Sequence, residues 1–236
     1  MIGNYIIFDA VSKSYGEGSS KQTVLDNVAL SVNQGEQIAV LGHSGSGKST
    51  LLNLISGIDY VDSGKIIIND KTLTSLSEKE RTLFRRRHIG FVYQSFNLIQ
   101  TLTAFENIQL PLQLNNFRSK EIKHLTADML ERVGLADRGD AFPDQLSGGE
   151  QQWVAIARAM IHSPALVLAD EHTGNLDAET GRAMIDLFAE LAKFRNQTVL
   201  MVTHSRAIAS TADRVVSFHD GKLHTDSNSG SSSLAW

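Results

Sequence analysis

The 236-residue chain contains no cysteine, so neither a disulfide nor a thiolate metal site is available to it. It has no apolar run long enough to cross a bilayer. Met1-Ile2-Gly3-Asn4-Tyr5 lacks the basic start and apolar core of a signal peptide. No internal repeat is present. A basic excess is also missing: the formal net charge is −4, which gives no case for nucleic-acid binding. The expectation is a soluble protein that reaches a membrane only through a partner. What remains is an ordinary globular composition, 42% hydrophobic and 20% charged. The length suits one large α/β domain or a core with a subdomain.

Gly42-His43-Ser44-Gly45-Ser46-Gly47-Lys48-Ser49 fits G-x-x-x-x-G-K-[ST], the phosphate-binding P-loop. Gln37–Leu41 before it reads as a buried strand, and Lys48–Ser56 after it as a helix stopped by Gly57. That is the context the motif requires. Glycines let backbone N–H groups converge on phosphate oxygens, and the helix N-terminus adds partial positive charge. Lys48 brings a full charge to the β and γ phosphates, and the Ser49 hydroxyl suits Mg²⁺. Thr50 joins residues 42–49 in the expected nucleotide-binding set.

Tyr5–Phe8 and Val24–Val32 read as strands around a polar connector, Ser14–Gln22, with Tyr15 at its start. Lys65–Ile68 is a further strand, closed by a turn at Asn69-Asp70-Lys71. Ser77–Arg87 is a charged helix whose Arg85-Arg86-Arg87-His88 run is expected to be a solvated end. His88–Tyr93 is a strand with Gln94 at its end. Thr103–Leu114, disturbed by Pro111, and Ser119–Val133 read as helices. A helix runs from Leu146-Ser147-Gly148-Gly149-Glu150 to about His162. Leu166–Ala169 is an apolar strand before Asp170-Glu171, and Ala178–Phe194 a helix with one apolar face. Val199–Val202 is a strand with His204 close behind it. Residues 215–218 and 221–223 suggest a closing hairpin, and Asp226–Ser233 a disordered tail.

Apolar strands alternating with helices indicate an α/β fold around a mostly parallel sheet. The P-loop, Gln94, Asp170-Glu171 and His204 all lie just beyond strand C-termini, where open α/β sheets bind ligands. Asp170 fits the carboxylate that holds Mg²⁺ through water. Glu171 is a candidate general base for the attacking water. Gln94 could bridge Mg²⁺ and that water, and His204 could hold the γ-phosphate in line. Taken singly, each has a plainer reading: a helix cap or solvated turn for the acidic pair, a polar strand end for Gln94, a structural histidine for His204.

With Leu146-Ser147-Gly148-Gly149-Glu150 added, the chain resembles the ATP-binding-cassette ATPases over residues 5 to 224. The resemblance includes Gln94, Val167-Leu168-Ala169-Asp170-Glu171, Asn175-Leu176-Asp177 and His204, in family order. It implies a P-loop NTPase fold of the RecA-like type, with an antiparallel β subdomain and a helical subdomain at about 95–159 inserted into a core of 1–94 and 160–224. It also implies a head-to-tail homodimer around two ATP molecules. In that dimer Ser147, Gly148 and Gly149 bind the γ-phosphate held by the partner's P-loop, Asp177 couples the two sites, and Tyr15 stacks on adenine.

Phe96 to Ile108 and Glu171-His172-Thr173-Gly174-Asn175-Leu176-Asp177 look like the lipoprotein-releasing and macrolide-exporting branch. Those ATPases work with permeases of few transmembrane helices. The implied place is the cytoplasmic face of the inner membrane, peripheral, through such a permease. Phe96, Leu98 and Ile99 are expected to form an exposed apolar groove where a permease helix docks. Leu102 and Phe105 are expected in the core. Trp153 and His172 depart from the family pattern, which has arginine and proline there. The ATPase of a small-molecule importer is the alternative function. A DNA-repair ATPase fits less well, because the chain has no room for a long insertion and no cysteine for a zinc site.

Overall fold

The structure is a computed structural model that describes residues 4–93, 95–170, 188 and 196–225. The expected helix Ala178–Phe194, apart from Phe188, and the tail from Asp226 lie outside the described residues. The strands are β1 (Asn4–Tyr15), β2 (Gln22–Asn33), β3 (Gln37–Leu41), β4 (Ser63–Ile68), β5 (Lys71–Thr72), β6 (Ile89–Val92), β7 (Leu166–Asp170), β8 (Thr198–Thr203), β9 (Arg214–His219) and β10 (Lys222–Thr225). The helices are α1 (Lys48–Ile55), α2 (Glu78–His88), α3 (Ala104–Leu114), α4 (Ser119–Arg132), α5 (Gly148–Met160) and α6 (Arg206–Ala209).

Two sheets form. One is antiparallel, in the order β2-β1-β4-β5, and the other has six strands in the order β10-β9-β3-β8-β7-β6. Within the second, β9, β3, β8, β7 and β6 pair in parallel, and β10 closes the edge as an antiparallel hairpin with β9. The central strands are apolar throughout because both faces are covered. Alternation then sorts their side chains. Ile38, Val40, Leu166, Leu168, Leu200 and Val202 enter a core shared with α1 and the antiparallel sheet. Ala39, Val167, Ala169, Val199 and Met201 face the other way and pack with Ile156, Ala159 and Met160 of α5. Gly90 in β6 allows α5 to come this close, since a Cβ there would stand 2.1 Å from the Ala159 carbonyl oxygen.

A third cluster joins α3, α4 and the far face of α5 through Ala104, Ile108, Leu112, Met129, Leu130, Val154 and Ala155. Trp153 packs against both this cluster and the one beneath the sheet. Its ring is thus part of the contact between the helical cluster and the core beneath the parallel sheet. Thr103 starts α3 with a reciprocal cap, accepting from Glu106 N–H while the Glu106 carboxylate accepts from Thr103 N–H.

Several expectations change. The first strand does not stop at Phe8. It continues to Tyr15, bending at Ala10 (φ 51°), and Ser14 and Tyr15 pair with Thr23 and Gln22. Tyr15 is therefore a strand end rather than a loop residue. α3 runs through Pro111 and ends one turn later, where the Asn115 side chain donates to the carbonyls of Pro111 (2.9 Å) and Arg86 (2.8 Å). The arginine run is not a solvated helix end. Arg85 donates to the Gly57 carbonyl at 2.6 Å, and His88, the last residue of α2 rather than the first of a strand, packs its ring at a tilt against Phe84. Only Arg87 of the run is exposed.

The expected apolar groove also changes. Leu98 is 8% exposed and belongs to the helical core, whereas Ile99 is 41% exposed. Phe96 and Phe105 are half-buried against the same core. The reason is Asn107, itself fully buried. Its Oδ1 accepts from Ile99 N–H (2.9 Å), and its Nδ2 donates to the carbonyls of Ile99, Leu102 and Thr103. This pins the loop down and turns Leu98 inward. Leu98→Ala is expected to cost about 2–4 kcal/mol of stability, and Ile99→Ala less than about 0.5 kcal/mol. Urea denaturation of the two variants side by side checks the assignment.

Candidate functional site

The glycine loop sits between β3 and α1. His43, Ser44 and Gly45 form its exposed crest, and Gly47 enters α1 with φ 106°. Two glycines are required by space, and Gly47 by angle as well. A Cβ on Gly42 would stand 2.6 Å from the Phe218 carbonyl oxygen, and one on Gly47 would stand 2.5 Å from Val24 Cγ1. The loop is thus pressed against β9 and β2 while its outer side stays open. Lys48 is buried, and its ammonium donates to the carbonyls of Gly42 (2.8 Å) and His43 (2.7 Å). The Ser46 hydroxyl oxygen is buried without a partner. Thr50 is half-buried in the first turn of α1.

Strand register brings the other residues to the same edge. Leu41 pairs with Thr203, Val202 with Asp170, and Ala169 with Val92. The Thr203 carbonyl accepts from Gly42 N–H (3.2 Å), which sets the exposed His204 beside the loop. Asp170 ends β7 and accepts from the Ser49 hydroxyl at 3.1 Å. Gln94, the base candidate Glu171, His172 and Asp177 lie outside the described residues. Just beyond Gln94 in the sequence, Phe96 and Asn97 hold left-handed conformations, and their carbonyls accept from Arg158 of α5 at 2.8 and 2.7 Å.

Burial pushes the Asp170 carboxyl above the ordinary carboxylate range, opposed by the Ser49 hydroxyl and the Lys48 charge. Burial likewise pushes the Lys48 ammonium down, opposed by Asp170. Both charges are poorly solvated, so the site gains from a bound polyanion and a counter-cation. The oxygens of Ser49 and Asp170 are hard ligands of the kind Mg²⁺ takes. No group of three His, Asp or Glu converges among the described residues.

Ser147 caps α5: its hydroxyl accepts from Glu150 N–H (3.3 Å), and Glu150 accepts from Ser147 N–H (2.8 Å). Arg138 holds the other Glu150 oxygen at 3.0 Å. Ser147 and Gly148 are exposed and Gly149 half-exposed, and nothing lies within 4 Å of a Cβ position on Gly148. The helix therefore presents its N-terminus to solvent, an arrangement suited to an anion arriving from outside. An open groove of about 560 Å³ lies elsewhere on the helical part, between Phe105, His124, Asp128, Leu130, Asp137 and Asp140.

Sequence reading missed Lys13 and Asp59. The Tyr15 hydroxyl donates to Asp59 Oδ2 at 2.6 Å, and Lys13 Nζ donates to Asp59 Oδ1 at 2.9 Å. The available signal was the spacing of Lys13 and Tyr15, two apart on one strand face. Nothing local to Asp59 announces it.

A glycine loop closing a parallel strand onto a helix, with a carboxylate at the next strand end but one, defines a P-loop nucleoside triphosphatase. The chain belongs to the ABC transporter family, whose pattern matches residues 25–174. It is 50% identical over 213 residues to an uncharacterised ABC transporter ATP-binding protein of Mycobacterium tuberculosis, covering 90% of this chain and 86% of that one. It is 46% identical over 212 residues to the lipoprotein-releasing system ATP-binding protein LolD of Legionella pneumophila, covering 90% and 93%. Among solved structures, the dimeric post-hydrolysis state of the ATP-binding cassette MJ0796 bound to ADP and Pi matches with a TM-score of 0.86. That pair is 37% identical over 92% of this chain and 96% of that one. The chain binds ATP and is an ATPase whose hydrolysis is coupled to transport.

Gly47→Ala forces a strained φ and a clash with Val24 together. The expected result is a lowered melting temperature and loss of ATP binding by at least about tenfold, for a cost of roughly 1–3 kcal/mol in the loop. Calorimetric titration with ATP beside a thermal melt checks both.

Proposed function

We propose that this chain is the ATP-hydrolysing subunit of a transporter of the lipoprotein-release or macrolide-export type. It works as a head-to-tail homodimer around two ATP molecules and drives a permease with few transmembrane helices. The observation that carries the reading is the pairing of an open phosphate cradle at residues 42–50 with an exposed signature helix end at Ser147, Gly148 and Gly149. Two such halves complete two sites when the copies face each other in opposite directions. The likeness to LolD and to a dimeric cassette supports it.

In this reading the core spans 1–94 and 160–224, and the helical subdomain about 95–159. Lys48 and the loop N–H groups from Gly42 to Thr50 grip the β and γ phosphates. Mg²⁺ bound by Ser49 and Gln94, and by Asp170 through water, would neutralise charge on those phosphates. Glu171 takes the proton of the attacking water, Gln94 and His204 hold water and γ-phosphate in line, and Asp177 links the two sites. Tyr15 stacks on adenine.

The protein is assigned to the cytoplasmic face of the inner membrane, held there by the permease. Among the described residues no helix is long and apolar enough to cross a membrane. The docking surface is taken as the part of the Gln94-adjacent segment that stays exposed, chiefly Ile99 with the edge of Phe96, and the buried Leu98 is withdrawn from it. The acidic groove on the same helical part suits the Lys- and Arg-rich cytoplasmic loops of membrane proteins.

Glu171→Gln is expected to keep ATP binding and to lower turnover at least about 10²-fold, the scale of general-base loss. Wild-type hydrolysis by that variant would remove Glu171 from the chemistry. Ile99→Asp should melt like the wild type yet lose its permease in a membrane pull-down. Undiminished co-purification would move the docking surface elsewhere, with the acidic groove next to be tested.

A further inference from the structure

Tyr15 ends β1 and is 43% exposed, so its ring has room to swing. It is nevertheless held from two directions. Its hydroxyl donates to Asp59 Oδ2 at 2.6 Å and also engages the side chain of Thr50 in the first turn of α1. Lys13, 8% exposed and two residues earlier on the same strand, sets its ammonium 4.9 Å from the ring centroid. The same ammonium donates to Asp59 Oδ1 (2.9 Å) and to the Tyr60 carbonyl (2.8 Å). Asp59 is tied to the far end of α1, because its N–H donates to the Asn53 carbonyl (3.2 Å). Burial works to raise the Asp59 carboxyl, but bonds from Tyr15, Lys13 and Tyr60 N–H outweigh it and keep it below the ordinary range. It is a carboxylate at neutral pH, with Oδ2 held by Tyr15 and Oδ1 shared by Lys13 and Tyr60 N–H.

α1 is the helix that the P-loop opens. A ring anchored to both ends of α1 therefore moves with the phosphate cradle. We propose that Asp59 and Lys13 are positioning residues for the nucleotide base: they lock the Tyr15 ring onto α1, so that base and phosphates are gripped by one rigid unit. The inference rests on the reading that Tyr15 stacks on adenine. With the Lys13 ammonium over one face, the base takes the other. Holding the ring in place before binding removes the entropy cost of ordering it afterwards.

The test uses the full chain and two probes, ATP and inorganic tripolyphosphate, which has no base. Tyr15→Phe keeps the ring and removes its anchor, and Asp59→Asn removes the charge that holds both partners. Each is expected to weaken ATP binding about three- to tenfold, to leave tripolyphosphate binding unchanged, and to raise KM with kcat intact. Tyr15→Ala should lose more, and adding Asp59→Asn to it should cost nothing further, since Asp59 acts through the ring. If Tyr15→Ala binds ATP normally, the stacking reading itself fails. If Tyr15→Ala weakens ATP but Tyr15→Phe and Asp59→Asn do not, stacking stands and the positioning role is overturned. Equal weakening of tripolyphosphate by Asp59→Asn would also overturn it, because Asp59 would then act on the cradle. Should Asp59→Asn melt early, Tyr15→Phe decides alone, as it removes only a half-solvated hydroxyl.

Discussion

The parallel pairing of β3, β8 and β7 is the constraint on which the rest of the molecule depends. Leu41 opposite Thr203 and Val202 opposite Asp170 put a glycine loop, a histidine and a carboxylate at one sheet edge. The register cannot slip by one residue. Side chains alternate across a sheet, so a slip would exchange the set that meets α1 with the set that meets α5. Because both faces are dry, that error would be costly everywhere at once. The site inherits its precision from the core.

The glycine loop shows how a tight backbone is held. Gly42 and Gly47 lie against Phe218 and Val24, which belong to different sheets. The loop is therefore clamped from behind by side chains and backbone that the core already fixes. Its outer side, at His43, Ser44 and Gly45, stays open to solvent. Lys48 rests on the carbonyls of Gly42 and His43, so its charge is held inside the loop.

α5 is the mechanical connection. One end carries the signature, and its two faces feed separate apolar clusters, with Trp153 touching both. Near its other end, Arg158 holds the carbonyls of Phe96 and Asn97, just past Gln94. A displacement of either segment is therefore felt by the same rigid helix. In packed interiors such displacements occur between discrete arrangements rather than as gradual deformation.

The order of motifs, the strand and helix periods and the glycine loop were legible in the sequence, because each depends on residues a few positions apart. The spacing in Gly42–Ser49 and the apolar runs at 37–41, 166–169 and 199–202 needed no partner to be read. Tertiary structure decided what local pattern could not. Leu98 and Ile99 are neighbours of like character, and only Asn107 turns one inward and leaves the other in solvent. Arg81 sits in a charged helix yet is 3% exposed, its guanidinium 3.6 Å from the Tyr60 ring and paired with Glu78. Tyr15 finds its anchor in Asp59, 44 positions away. Such contacts depend on how β1 and the end of α1 are brought together. A repeat of two or 3.6 residues carries no record of that meeting, because it fixes which face a side chain takes and not what stands opposite.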